Sequence, residues 1–244
     1  MPRGVAPGPR VEAEPAYVLH ARAYRESSQL LELLTPGHGR MGAIARGARG
    51  GKGGGRAALL QPFSPVLVGW QGTGDLVQLT DIEAAAIAPR LLGDALLAGF
   101  YANELLVQLL PRAEAQPGLF ARYALLLAEL AEGPGLAWPL RCFEHALLAV
   151  LGLAPPVDVD VHGQPLEAEA RYRWLGDAGA QRLGVGEAEG IEGAALLALH
   201  SGIEPASRHL GPLRRLLRTE LQRHLHGREL RSWGLLAELE RLRS

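Results

Sequence analysis

The chain is short of the residues that most enzyme chemistry needs. It has one cysteine, Cys142, in 244 residues, which excludes an internal disulfide framework and any all-cysteine zinc site within one chain. Seven serines are present and none sits in a G-x-S-x-G turn, so no nucleophile elbow exists. There is no H-E-x-x-H, no E-x-x-H and no Cys/His cluster, so no protein metal site is expected. No stretch reaches about 18 uninterrupted apolar residues, and residues 1–14 hold no apolar segment of the signal-peptide kind. Neither a membrane span nor a secretory leader is therefore expected, and the chain reads as cytoplasmic. Aromatic residues are scarce at 5%.

What is present is a hydrophobic fraction of 48%, enough for a sizeable core and incompatible with global disorder. The length suits one large domain or two small ones. The net charge of −1 conceals a segregated distribution. Residues 1–56 carry +5, residues 57–113 carry −3, residues 114–204 carry −8 and residues 205–244 carry +5. Two basic ends flank an acidic middle, so a polyanion can find a cationic surface on a nearly neutral protein.

Residues 1–15, with four prolines, read as a flexible tail. From 16 to 83 the pattern is β: strands are expected at Ala16–Ala21, Gln29–Thr35, Met41–Arg46, Phe63–Trp70 and Asp75–Thr80. Pro36-Gly37-His38-Gly39 and Gln71-Gly72-Thr73-Gly74 mark turns. Five short strands with one long loop after the third suit an OB-type Greek-key barrel; an SH3-like barrel fits the spacing nearly as well. Residues 84–244 read as helical. The stripes run over Arg90–Leu110, Leu119–Ala131 and Trp138–Leu151, with further helices at Gly193–Ser201, Pro205–Leu225 and Leu230–Arg243. An irregular acidic insertion at about 157–182 holds one short strand, Arg171–Leu175. The fold class expected is α+β, a barrel followed by a helical bundle.

The glycine-rich segment from Gly47 to Arg56 fails as a phosphate loop. Its spacing to Gly-Lys is one residue short, Lys52 is followed by Gly53 rather than Ser/Thr, and no helix start is expected behind it. It reads better as a basic loop that follows a phosphate chain, since Arg46, Arg49, Lys52 and Arg56 include no acid between them. With Arg22, Arg25 and Arg40 they make the barrel the cationic part of the fold. Tyr24, between Arg22 and Arg25, is the stacking candidate, while Phe63 is assigned to the core. Scarce aromatics with abundant arginine favour sequence-independent binding through the backbone. Asp158, Asp160 and His162 look like a solvated surface, and no catalytic residue is nominated.

Several blocks are similar to one known family. Tyr17-Val-Leu-His20 through Arg25-Glu-Ser-Ser28, then His38-Gly-Arg40, Arg46-Gly-Ala-Arg49 and Leu60-Gln-Pro-Phe63, resemble the N-terminal barrel of the RecO family of bacterial recombination mediators. Gly99-Phe-Tyr-Ala-Asn103-Glu104, Leu140-Arg141-Cys-Phe143-Glu144 and Gly227-Arg-Glu-Leu230-Arg231-Ser232 resemble its helical part. The resemblance implies an OB-fold domain, a helical bundle and a small zinc-ribbon-like insertion, here lacking its cysteines and so expected to hold no zinc. It implies binding of single- and double-stranded DNA, annealing of strands coated with single-stranded-DNA-binding protein (SSB), partnership with RecR and a functional link to RecA. It places the protein in the bacterial cytoplasm, associated with the nucleoid. Arg141 is the residue expected to meet the acidic SSB C-terminal tail. The alternative is a generic OB-fold adaptor for single-stranded nucleic acid outside recombination.

Overall fold

The computed structural model describes residues 9–48, 54–133, 135–184, 187, 189–225 and 227–234. Five strands come first: β1 (Arg10–Tyr24), β2 (Ser28–Thr35), β3 (Gly39–Ala45), β4 (Pro65–Gln71) and β5 (Leu76–Ala84). They close into a barrel in the order β1-β2-β3-β5-β4. All pairings are antiparallel except β3 with β5, which run parallel. Closure depends on the length of β1. Its second half pairs with β2 and its first half with β4, with register shifts that let one strand bend around two neighbours. The strand begins at Arg10, so residues 10–15, expected in a tail, are part of the sheet.

Alternation decides which side chains fill the barrel. Leu31 and Leu33 from β2, Met41, Ala43 and Ala45 from β3, Val66, Val68 and Trp70 from β4, and Val77, Leu79 and Ile82 from β5 form one buried cluster. Between β3 and β4 lies a short helix, α1 (Gly54–Leu59), where the sequence suggested only a loop. Glycines hide the helical pattern there; the Arg-Ala-Ala-Leu run after them supplies the propensity.

The helices α2 (Gly93–Leu109) and α3 (Pro117–Glu132) follow. They belong with the barrel: the described residues of 1–131 and 232–244 form one compact unit, and those of Glu132–Arg231 the other. By compactness, α2 and nearly all of α3 go with the barrel. The link to the barrel is polar at its centre. Asn103 of α2 donates its side-chain N–H to the Leu19 carbonyl of β1 (2.8 Å), and the Tyr123 hydroxyl of α3 donates to Asn103 Oδ1 (2.5 Å). Burial pushes the Tyr123 phenol well above its ordinary pKa, so it stays a donor. The Tyr17 ring packs at 5.4 Å from Phe120 and edge-on at 5.2 Å from Tyr123.

The second unit contains α4 (Ala137–Val150), the small sheet β7-β6-β8 (Ala180–Arg182, Arg171–Trp174, Ile191–Glu192), α5 (Gly193–Ser201) and α6 (Leu210–His224). The insertion has no cysteine, since the one in the chain lies in α4. Other bonds hold it. Trp174 Nε1 donates to Glu220 of α6 (3.0 Å), and Arg223 bridges Glu220 (3.0 Å) and Asp177 (3.1 Å). Tyr172 is buried and its hydroxyl accepts the Glu167 N–H (2.9 Å).

Candidate nucleic-acid interface

The register gathers part of the nominated set on the outside of β1-β2-β3. With Leu31, Leu33, Met41, Ala43 and Ala45 inside, the alternate positions face out. One cross-strand row runs Arg22, Leu30, Ile44, Gln78; the next runs His20, Glu32, Gly42, Leu76. Beyond the first row, at the end of the barrel, Tyr24 pairs with Ser28, and Arg46 follows Ala45, the partner of Gln29. Arg22, Arg25 and Arg46 are exposed, Leu30 and Ile44 half-buried, and Leu76 exposed. The result is a shallow apolar floor with cations at its margin. Sequence reasoning found the cations but not the floor, because the floor exists only once three strands are aligned.

Tyr24 and Arg25 form the corner of the β1–β2 hairpin. The Arg25 guanidinium carbon stands 5.2 Å from the Tyr24 ring centroid, a cation–π distance. Arg25 itself has φ +53°, a left-handed conformation that costs a non-glycine residue about 1 kcal/mol. A base that stacks on this face of Tyr24 must displace the arginine, while a phosphate meets the arginine directly.

Arg40 is also brought to the outer side of β3 but is committed to structure. Its Nε donates to the Leu110 carbonyl (2.8 Å) and its Nη1 to Glu32 (2.9 Å), and its side chain is 13% exposed. Arg49 and Lys52 lie outside the described residues, as does the side chain of Arg56. In the second unit, Arg141, the residue expected to meet the SSB tail, lies in α4. Its residue is 6% exposed and its Nη2 donates to Glu144 (2.5 Å), itself buried, one turn along α4. Its Nε is buried too and has no hydrogen-bond partner.

Asp160 is held by the backbone N–H groups of Gln164 (2.9 Å) and His162 (2.8 Å), which lower its pKa; it caps a turn. Asp177, Glu220 and His224 have ligand atoms within 4.8 Å of one another and are, among the described residues, a group able to hold a cation. Arg223 already bridges the two carboxylates, so a fixed positive charge occupies the place a metal would need.

Barrel and helices together define an α+β protein with a five-stranded N-terminal sheet and a helical C-terminal part, the sheet carrying arginines around an apolar outer surface. Family models give that class its name: Recombination protein O N terminal matches residues 11–88 and Recombination protein O C terminal matches residues 91–234. The chain is 46% identical over 236 residues to the DNA repair protein RecO of Xanthomonas campestris pv. campestris (strain B100), covering 95% of this chain and 98% of that one. It is 45% identical over 233 residues to the DNA repair protein RecO of Stenotrophomonas maltophilia (strain K279a), covering 94% and 98%. The chain belongs to the RecO family. Among the described residues, no helix is long and apolar enough to cross a membrane.

Proposed function

We propose that this protein is a recombinational DNA-repair mediator whose barrel is of the OB type and binds DNA strands on the outer face of β1-β2-β3. Family membership along nearly the whole chain supports the role in repair. The strand order, the parallel β3–β5 pair and the helix between β3 and β4 support the OB reading. An OB barrel binds oligonucleotides on its second and third strands and on the loop joining the first two. The observation that carries the proposal is the register that brings Arg22, Tyr24, Arg25 and Arg46 to that location.

Binding is then through phosphates. Arginines neutralise the strand while its bases remain unread, which gives sequence-independent affinity. The same economy suits annealing: two neutralised strands approach each other with their pairing edges open. On this reading the protein binds single- and double-stranded DNA, pairs complementary strands coated with SSB and, with RecR, helps load RecA. Arg141 of α4 is the residue proposed to meet the SSB tail.

The test is annealing of complementary oligonucleotides, each pre-coated with SSB, with wild type and Arg141→Ala. The account predicts acceleration by wild type and, in the variant, a defect confined to coated strands. Binding of bare strands without any acceleration would replace this reading by the generic single-strand adaptor.

A further inference from the structure

Arg112 was not nominated from the sequence, because it follows a helix that ends at Leu109 and a proline, far along the chain from the basic N-terminal part. The fold returns it to the barrel. Arg40 and Arg112 form a parallel bridge, and the Ala113 N–H donates to the Arg40 carbonyl (2.9 Å), so this segment lies along the start of β3. Glycine permits the approach twice. A Cβ on Gly39 would stand 1.8 Å from the Glu114 carbonyl oxygen, and one on Gly42 would stand 2.7 Å from the Asp75 carbonyl oxygen and 3.1 Å from Arg112 Nη1. The Arg112 guanidinium therefore rests against the outer surface of β3, over the row of His20, Glu32, Gly42 and Leu76.

Its anchoring is divided. Nη1 donates to the Asp75 carbonyl (2.9 Å) and Nη2 to Glu32 Oε1. These bonds use two of the five N–H donors of a guanidinium. Glu32 takes Arg40 on its other oxygen, so one carboxylate serves two arginines and the group retains a net positive charge. The two partners differ in depth: the Arg40 side chain is 13% exposed and that of Arg112 31%. If Arg112 turns toward another anion, Glu32 still keeps its inner partner and no buried charge is orphaned.

We propose that Arg112 is a phosphate-binding residue of the barrel face, held in position by Glu32 acting as an internal stand-in for the phosphate. The proposal rests on the nucleic-acid reading of that face. Rows two residues apart along a strand lie about 6.7 Å from one another. Arg112 lies over one row, Arg22 belongs to the next, and Arg46 follows the last residue of β3 beyond it. A strand of nucleic acid crossing them meets the three cations in turn, and Arg112 is released to it as phosphate replaces carboxylate.

The experiment is fluorescence anisotropy of a labelled oligothymidylate across a salt series, with wild type, Arg112→Gln, Arg112→Lys and Glu32→Gln, each checked by thermal melting. Arg112→Gln is expected to weaken binding and to reduce the slope of log K against log salt by about 0.7, the share of one phosphate on a single strand. Arg112→Lys keeps the charge without the fork and is expected to keep the slope. Glu32→Gln, which removes the competing carboxylate, is expected to tighten binding at low salt. An unchanged slope in Arg112→Gln, equal slope losses in the Gln and Lys variants, or weaker binding by Glu32→Gln would overturn the proposal. A wild-type protein with no salt-dependent binding would overturn the nucleic-acid reading itself and this proposal with it, and that failure is visible before any variant is compared.

Discussion

Arg22 and Arg40 look alike in the sequence and have opposite situations in the fold. Arg22 is exposed beside Leu30; Arg40 is held by the Leu110 carbonyl and Glu32. Arg40→Gln should therefore cost about 1–3 kcal/mol of stability, the scale of losing hydrogen bonds to a largely buried charge, while leaving the salt slope of binding nearly unchanged. Arg22→Gln should do the reverse, and melting together with a salt titration separates the two. Arg141, like Arg40, bonds a glutamate. Its i,i+3 relation to Glu144 is written in the sequence, but the burial of both is set by how α4 is covered, which no local pattern records. Arg112 shows the converse: it became a candidate only when the fold placed it over Gly42. Charge could be read from the sequence; commitment of charge could not, because the partners of Arg40 and Arg112 come from distant segments.

At the scale of elements the sequence was more informative. Each barrel strand alternates apolar and polar residues or runs apolar between glycine turns, and the expected strands overlap β1 to β5; the helical stripes likewise overlap α2 to α6. What it hid were the short pieces, α1 behind its glycines and the strands β7 and β8, whose few residues carry no period. Polar contacts between elements were equally invisible, and they yield predictions. Asn103→Ala removes the donor to Leu19 and the acceptor of Tyr123, and should lower stability by about 1–3 kcal/mol in denaturant unfolding. In the second unit Trp174→Phe should loosen the insertion through loss of the Glu220 bond, seen as faster amide exchange over 171–182, while a chelator should not shift the melting curve of the wild type. His145 of α4 adds a pH dependence. Burial, with His200 nearby, lowers its pKa, so the folded state binds fewer protons than the unfolded one. Its contribution is complete above the ordinary imidazole pKa and is lost as pH falls through that range, so stability should decline toward acid, and His145→Gln should flatten that decline.

Over the whole molecule the segregated charge has a structural counterpart. The basic N-terminal part of the sequence supplies β1, β2 and β3, and hence the cationic margin of the barrel, while much of the acidic charge between 114 and 204 falls in the second unit. The chain then returns: Ser232 donates through its N–H (2.9 Å) and its hydroxyl (2.6 Å) to Glu104 of α2, which ties the C-terminal part to the barrel unit. A nearly neutral protein thus keeps one face suited to a polyanion. The most direct test of that claim is the salt dependence of single-strand binding by wild type and by the double variant Arg22→Gln/Arg46→Gln. The account predicts that the variant folds with unchanged melting and that its slope of log K against log salt is shallower by about 1.4, two phosphates at about 0.7 each. An identical slope in the two proteins would show that the strand lies elsewhere and would contradict the placement of the site on β1-β2-β3.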